Sequence, residues 1–241
     1  MAKVIEAEAG GGQWNHDLLA RMLAPEIADF TEANVPKLAL EFEQGGHWIT
    51  NFFLNSVFGT NFGGKWRIYV LNLIFRSQNC LREYERAAEL TVRFLDHSKP
   101  SNPAIQTYFE ALSAWECSFL NFSIAMDVFK KMNGDIGAFV KGDGSVDERA
   151  YYLANVTKHY GSEVANRPDL PNSAELLPTE ANEPHSIPVW LTNKGFASAT
   201  KALNYSEYAH AVKELCGLAD QLSNPGKWAD DTRRKRDEQA G

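Results

Sequence analysis

Three side chains in the stretch ERAYYLANVTKHYGSEV, residues 148–164, are of types that could do chemistry together: Asn155, Lys158 and His159. Read as a helix, the stretch puts Asn155 and His159 four residues apart and so on one face. Lys158 flanks that face, and Tyr152 lies a turn above it. An imidazole beside an amide and an ammonium can bind a phosphate and move a proton near neutral pH. Tyr151, Leu153, Val156 and Tyr160 would supply the buried side. A plainer role fits the same residues. NVTKH can be the polar face of a packed helix, with His159 in its last turn, where the helix dipole favours it.

Other candidate sites are weaker. Glu207 and His210 form an E-x-x-H, the helical half of a di-iron carboxylate site, but no second copy occurs. Glu110 and Glu116 are six residues apart and do not share a helix face, and Glu43 and His47 have the wrong spacing. No metal ion or other cofactor is expected. The glycines at 10–12, 45–46, 63–64 and 142–144 match neither phosphate-binding loop pattern. GTNFGGKW has a lysine after two glycines, but no Ser or Thr follows it. No G-x-S-x-G is present. Cys80, Cys117 and Cys216 lie far apart among apolar residues, which reads as buried reduced thiols of a cytosolic protein.

The elements that must position these residues are mostly helices. In NPAIQTYFEALSAWECSFLNFSIAMDVFKKMNG, Ile105, Tyr108, Leu112, Trp115, Phe119, Phe122, Met126 and Phe129 alternate by 3 and 4. That spacing predicts one long helix with a single bulky stripe, opened by Pro103 and closed by Gly134. Over 65–98, Ile74, Leu81, Ala88 and Leu95 recur every seven residues, with Arg82, Glu85, Arg86 and Glu89 facing outward. The short HSKPSNP break at 97–103 makes the two helices an antiparallel hairpin. Upstream, helices are expected over 13–35, with a restart at Pro25, and over about 37–58, before a turn at GTNFGG.

Downstream, NGDIGAFVKGDGS is a loop, and Ser145 heads an S-x-x-E capping box with Glu148. The helix it opens should stop at Gly161. The proline-rich connection 161–188 follows, then SIPVWL as one possible short strand. A last helix starts near Asn204 or Ser206 and carries Tyr208, Val212, Leu215, Ala219 and Leu222. The fold expected is all-α: five to seven helices bundled around the long antiparallel pair. Residues 1–12 read as a flexible N-terminus, 13–222 as a single helical domain and 223–241 as a charged tail containing RRKR.

Composition limits the function classes. With 241 residues and 44% hydrophobic content the chain buries a real core. Its net charge of −7 argues against an autonomous nucleic-acid binder. No run of about 18 apolar residues suggests a membrane span. The aromatic density at 48–75 (Trp48, Phe52, Phe53, Phe58, Phe62, Trp66, Tyr69, Phe75) reads either as core or as a partly exposed surface for a partner or a dimer. Trp190, Phe196 and Trp228 could extend that surface.

The ANVTKH element resembles the R-N-x-x-x-H element of the HEPN superfamily, small all-α proteins of RNA-cleaving toxins, CRISPR effectors and phage-defence systems. Asn155 and His159 match, and Ala154 stands where the family has Arg. The resemblance implies a homodimer, or a subunit of a prokaryotic defence or toxin–antitoxin type assembly, that cuts RNA without metal. In it His159 would transfer the proton, Asn155 would orient it and Lys158 would contact phosphate. Loss of the Arg removes the cation that stabilises the pentacoordinate phosphate. Lys158 lies on another azimuth and lacks the bidentate fork. Arg149, ten residues before His159, is about 80° off its face and could contribute only across a dimer. The alternative is a catalytically silent helical interaction module.

Overall fold

The computed structural model describes residues 35–38, 41–42, 45–58, 64–95, 104–165, 188–192, 194–198, 200–224 and 226. The expected helix over 13–35, the turn at 59–63, the break at 97–103, most of the 161–188 connection and the tail beyond 226 lie outside them. Among the described residues there are five α-helices and one small sheet. Helix dominates, as expected. The sheet was not.

The first helix is shorter than the expected 37–58. Pro36–Leu38 are not helical, and a 3-10 turn over Gly45–His47 leads into α1, Trp48–Phe58. The Gly45–Gly46 pair explains the late start, since each glycine costs about 1 kcal/mol in a helix interior. Helices α2, Gly64–Leu95, and α3, Ala104–Met132, form the spine. Their antiparallel register is fixed by polar bonds through the interface. Arg76 donates to Asn121 (3.1 Å), Ser118 to the Cys80 carbonyl (3.1 Å) and the Trp115 indole to Thr91 (3.0 Å). Gly134 and Asp135, with φ of 65° and 70°, close α3 by turning left-handed.

Helix α4, Val146–Ala165, runs past the expected stop at Gly161. A glycine lowers helix propensity without forcing a stop, and the next strong breaker is Pro168. After the connection come β1, Trp190–Leu191, β2, Gly195–Ala197, and β3, Ala202–Asn204, paired antiparallel in the order β1-β2-β3. The sequence suggested one strand at SIPVWL. GFA and ALN are too short to show a period of two and carry no β-branched residue. Gly195 is required where it stands, because a Cβ there would lie 2.0 Å from the Leu203 carbonyl oxygen. Helix α5, Tyr205–Ser223, follows β3 directly.

The core is an aromatic cluster shared by α2, α3, β2 and α5. The Tyr208 ring lies 4.5 Å from Phe119 and about 6 Å from Tyr84, Phe122 and Phe196 (6.0, 5.9 and 5.9 Å). Phe196, brought in by β2, sits 4.8 Å from each of Trp115, Phe119 and Tyr205. The Tyr208 hydroxyl meets Ser118 Oγ at 2.8 Å and Cys80 Sγ at 3.7 Å, so the buried polar atoms satisfy one another. Burial pushes the Cys80 thiol up to about 11, which keeps it protonated. Cys216 is also buried. Cys117 is exposed, contrary to the expectation for it, because it lies on the outer face of α3.

This packing makes the sheet part of the core formed by the helices. Phe196→Ala should cost about 3–5 kcal/mol and Gly195→Ala about 1–3 kcal/mol. Urea unfolding followed by circular dichroism checks both, and a single transition of unchanged slope is expected.

Candidate functional site

The start of α4 is held by an unusual clamp. Ser145 Oγ accepts the Glu148 amide at 3.2 Å, the first half of the expected capping box. The second half does not form. The Glu148 carboxylate instead accepts the Gly142 and Gly144 amides (2.9 and 3.2 Å) and Lys201 Nζ (2.8 Å). The two glycines, at φ of 89° and 71°, allow the loop to point those amides inward. Asp143 takes over the Ser145 amide at 2.8 Å. Lys201 also lies 5.5 Å from the centre of the Tyr152 ring, and the Tyr152 hydroxyl meets Thr200 at 2.7 Å. Tyr152 is thereby tied to the turn that leads into β3.

Arg149 joins the same contact between α4, β3 and α5. Its guanidinium is bidentate on Glu207 (3.0 and 2.8 Å) and donates to the Ala202 carbonyl at 3.1 Å. Glu207 also accepts the Asn204 amide at the start of α5, at 3.0 Å. The E-x-x-H thus divides between two structural tasks. Glu207 ties α5 to α4, and His210 lies 3.5 Å from Glu214 on the exposed side. Neither Glu148–Lys201 nor Arg149–Glu207 was foreseen. The S-x-x-E signature was the one local signal pointing to Glu148.

Further along α4, Leu153, Ala154 and Val156 are in the core, and Ala154 is 3% exposed. The place of the HEPN arginine therefore faces packed side chains. Asn155 is half-buried and hydrogen-bonds the Tyr151 hydroxyl, which itself donates to Asp127 of α3 at 3.2 Å. Burial, then the Asp127 carboxylate, pushes the Tyr151 phenol above its ordinary value. Lys158 and His159 are exposed. The structure therefore gathers Asn155, Lys158 and His159 on one side of α4, with the amide tied down and the two basic groups open. Among the described residues no carboxylate orients the imidazole and no guanidinium joins it, so the arrangement can contact an anion more readily than transfer a proton.

The clamp should make the fold acid-sensitive. Lys201 and the loop amides hold Glu148 below the ordinary 4.5, and Arg149 does the same for Glu207. A folded-state value below the unfolded one stabilises above the unfolded value and loses that contribution as pH falls through the folded one. Thermal midpoints measured from pH 7 to pH 3 should fall below about 4.5. The fall should be shallower in Lys201→Met and in Arg149→Gln, which start lower at neutral pH. Comparison of the chain with family models, with curated proteins and with solved structures gave no match.

Proposed function

We propose that this chain is a catalytically silent helical interaction module, and that NVTKH is chiefly the outer polar face of α4. One observation carries the reading: among the described residues no guanidinium joins the Asn155–His159 face. Ala154 points into the core, and Arg149 is engaged with Glu207. A phosphoryl-transfer site without its cation loses a contribution of about 3 kcal/mol or more. Large apolar side chains stand exposed on the helices, among them Phe53, Leu54, Trp66, Ile68, Phe75, Phe109 and Leu120, and such surfaces suit partner binding. No helix among the described residues is long and apolar enough to cross a membrane.

A second reading has its own support. Lys158 and His159 are open to solvent beside Asn155, which is the HEPN-like order of groups. On that reading the chain binds or cleaves RNA without metal, within a prokaryotic defence or toxin–antitoxin type system.

Labelled RNA incubated in EDTA with the wild type and with His159→Ala separates the two. The interaction module leaves the RNA intact with both proteins; cleavage that disappears in His159→Ala would overturn it. Completing the family element by Ala154→Arg should not create activity. It should cost about 3–5 kcal/mol by burying an unpaired charge, read as a lowered thermal midpoint.

A further inference from the structure

The outer face of α3 carries an uncharged stripe: Phe109, Ser113, Cys117, Leu120 and Ile124, spaced 4, 4, 3 and 4. Phe109 and Leu120 are 43% and 41% exposed, Ser113 and Cys117 are exposed, and Ile124 is half-buried. The stripe itself carries no charge over four turns, with Glu110 and Glu116, both half-buried, at its edges, whereas outward stripes are ordinarily polar. The stripe is also close to symmetric about its middle. Phe109 and Ser113 stand eight and four residues before Cys117, and Leu120 and Ile124 three and seven after it.

We propose that this stripe is the contact with a second copy of the chain, α3 packing antiparallel on α3 about a two-fold axis at Cys117. The inference rests on the interaction-module reading and names its partner. The axis lays Phe109 of one copy beside Ile124 of the other, and Ser113 beside Leu120. Large then meets medium and small meets large at each end, as an isologous contact requires.

Of the charges beside the stripe, Glu110 and Arg76 fit the same operation. Glu110 accepts a hydrogen bond from Gln106 but has no cationic partner among the described residues. Arg76 bonds Asn121 and lies over the Phe75 ring at 5.3 Å, yet has no carboxylate partner among them, and its Nε is enclosed without an acceptor. Asn121 places Arg76 beside the far half of the stripe. The axis brings Glu110 level with position 124 of the other copy, within about one turn, roughly 5 Å, of the Asn121 that marks Arg76. Each copy thus presents an unmatched carboxylate where the other presents an unmatched guanidinium, and the pairing occurs twice.

Two measurements test this. Light scattering at tens of micromolar should give twice the chain mass, and Leu120→Asp should give the single-chain mass with unchanged helix content. Glu110→Arg should weaken association at least tenfold, and Glu110→Arg with Arg76→Glu should recover most of it. Cys117 is the only exposed cysteine of the three, so mild copper-catalysed air oxidation should yield a covalent dimer that Cys117→Ser abolishes. A wild type of single-chain mass overturns the α3 contact, while the interaction-module reading would stand on another partner. A dimer that persists in Leu120→Asp and gives no Cys117 cross-link overturns the stripe as the interface.

Discussion

The structure depends on the seating of two aromatic side chains, Tyr208 from α5 and Phe196 from β2, against the α3 stripe of Trp115, Phe119 and Phe122. The two-helix spine has a bulky face that α2 alone does not cover. Tyr208 closes it from one direction and answers the buried Ser118 and Cys80 with its hydroxyl. Phe196 closes it from the other, and it can reach that place because Gly195 lets β2 approach β3 closely. A non-local contact of this kind joins segments some ninety residues apart in sequence, between Ser118 and Tyr208. Tight interdigitation at such a junction makes every neighbour sensitive to its loss.

Around that core, ionic clamps set where α4 lies. Glu148 gathers a tight loop and Lys201, and Arg149 gathers Glu207 and the β3 backbone. Together they fix the start of α4 against β3 and α5. They also decide the chemistry further along, because a guanidinium held bidentate by Glu207 does not reach the His159 face. Of the basic groups on α4, Arg149 is taken up by this structural role, while Lys158 and His159 stay open.

The long helices were readable in the sequence because each buries one continuous stripe, and Tyr108-to-Phe129 spacing has no other explanation. The start of α5 was readable too, at Asn204. Of the sheet, β1 lies within the SIPVWL that suggested a strand, but β2 and β3 were hidden. Its strands of two and three residues carry no period, and what holds them is Phe196 docking into a core that no local pattern announces. Helix ends marked by a left-handed glycine, as at Gly134, were found, whereas Gly161 misled because it keeps helical geometry. At the candidate site, the shared face of Asn155 and His159 followed from spacing alone. The burial of Ala154 and the capture of Arg149 by Glu207 are tertiary facts.

The central claim is that the small sheet and the helical spine form one cooperative unit through Phe196 and Tyr208. Native-state hydrogen exchange in low urea tests it most directly. The account predicts that the Phe196 and Leu203 amides exchange only through the same global opening as those of Leu73, Trp115 and Val212, with matching free energies and urea dependence. Exchange of the β2 and β3 amides through a separate, low-energy opening, while the spine stays protected, would contradict it.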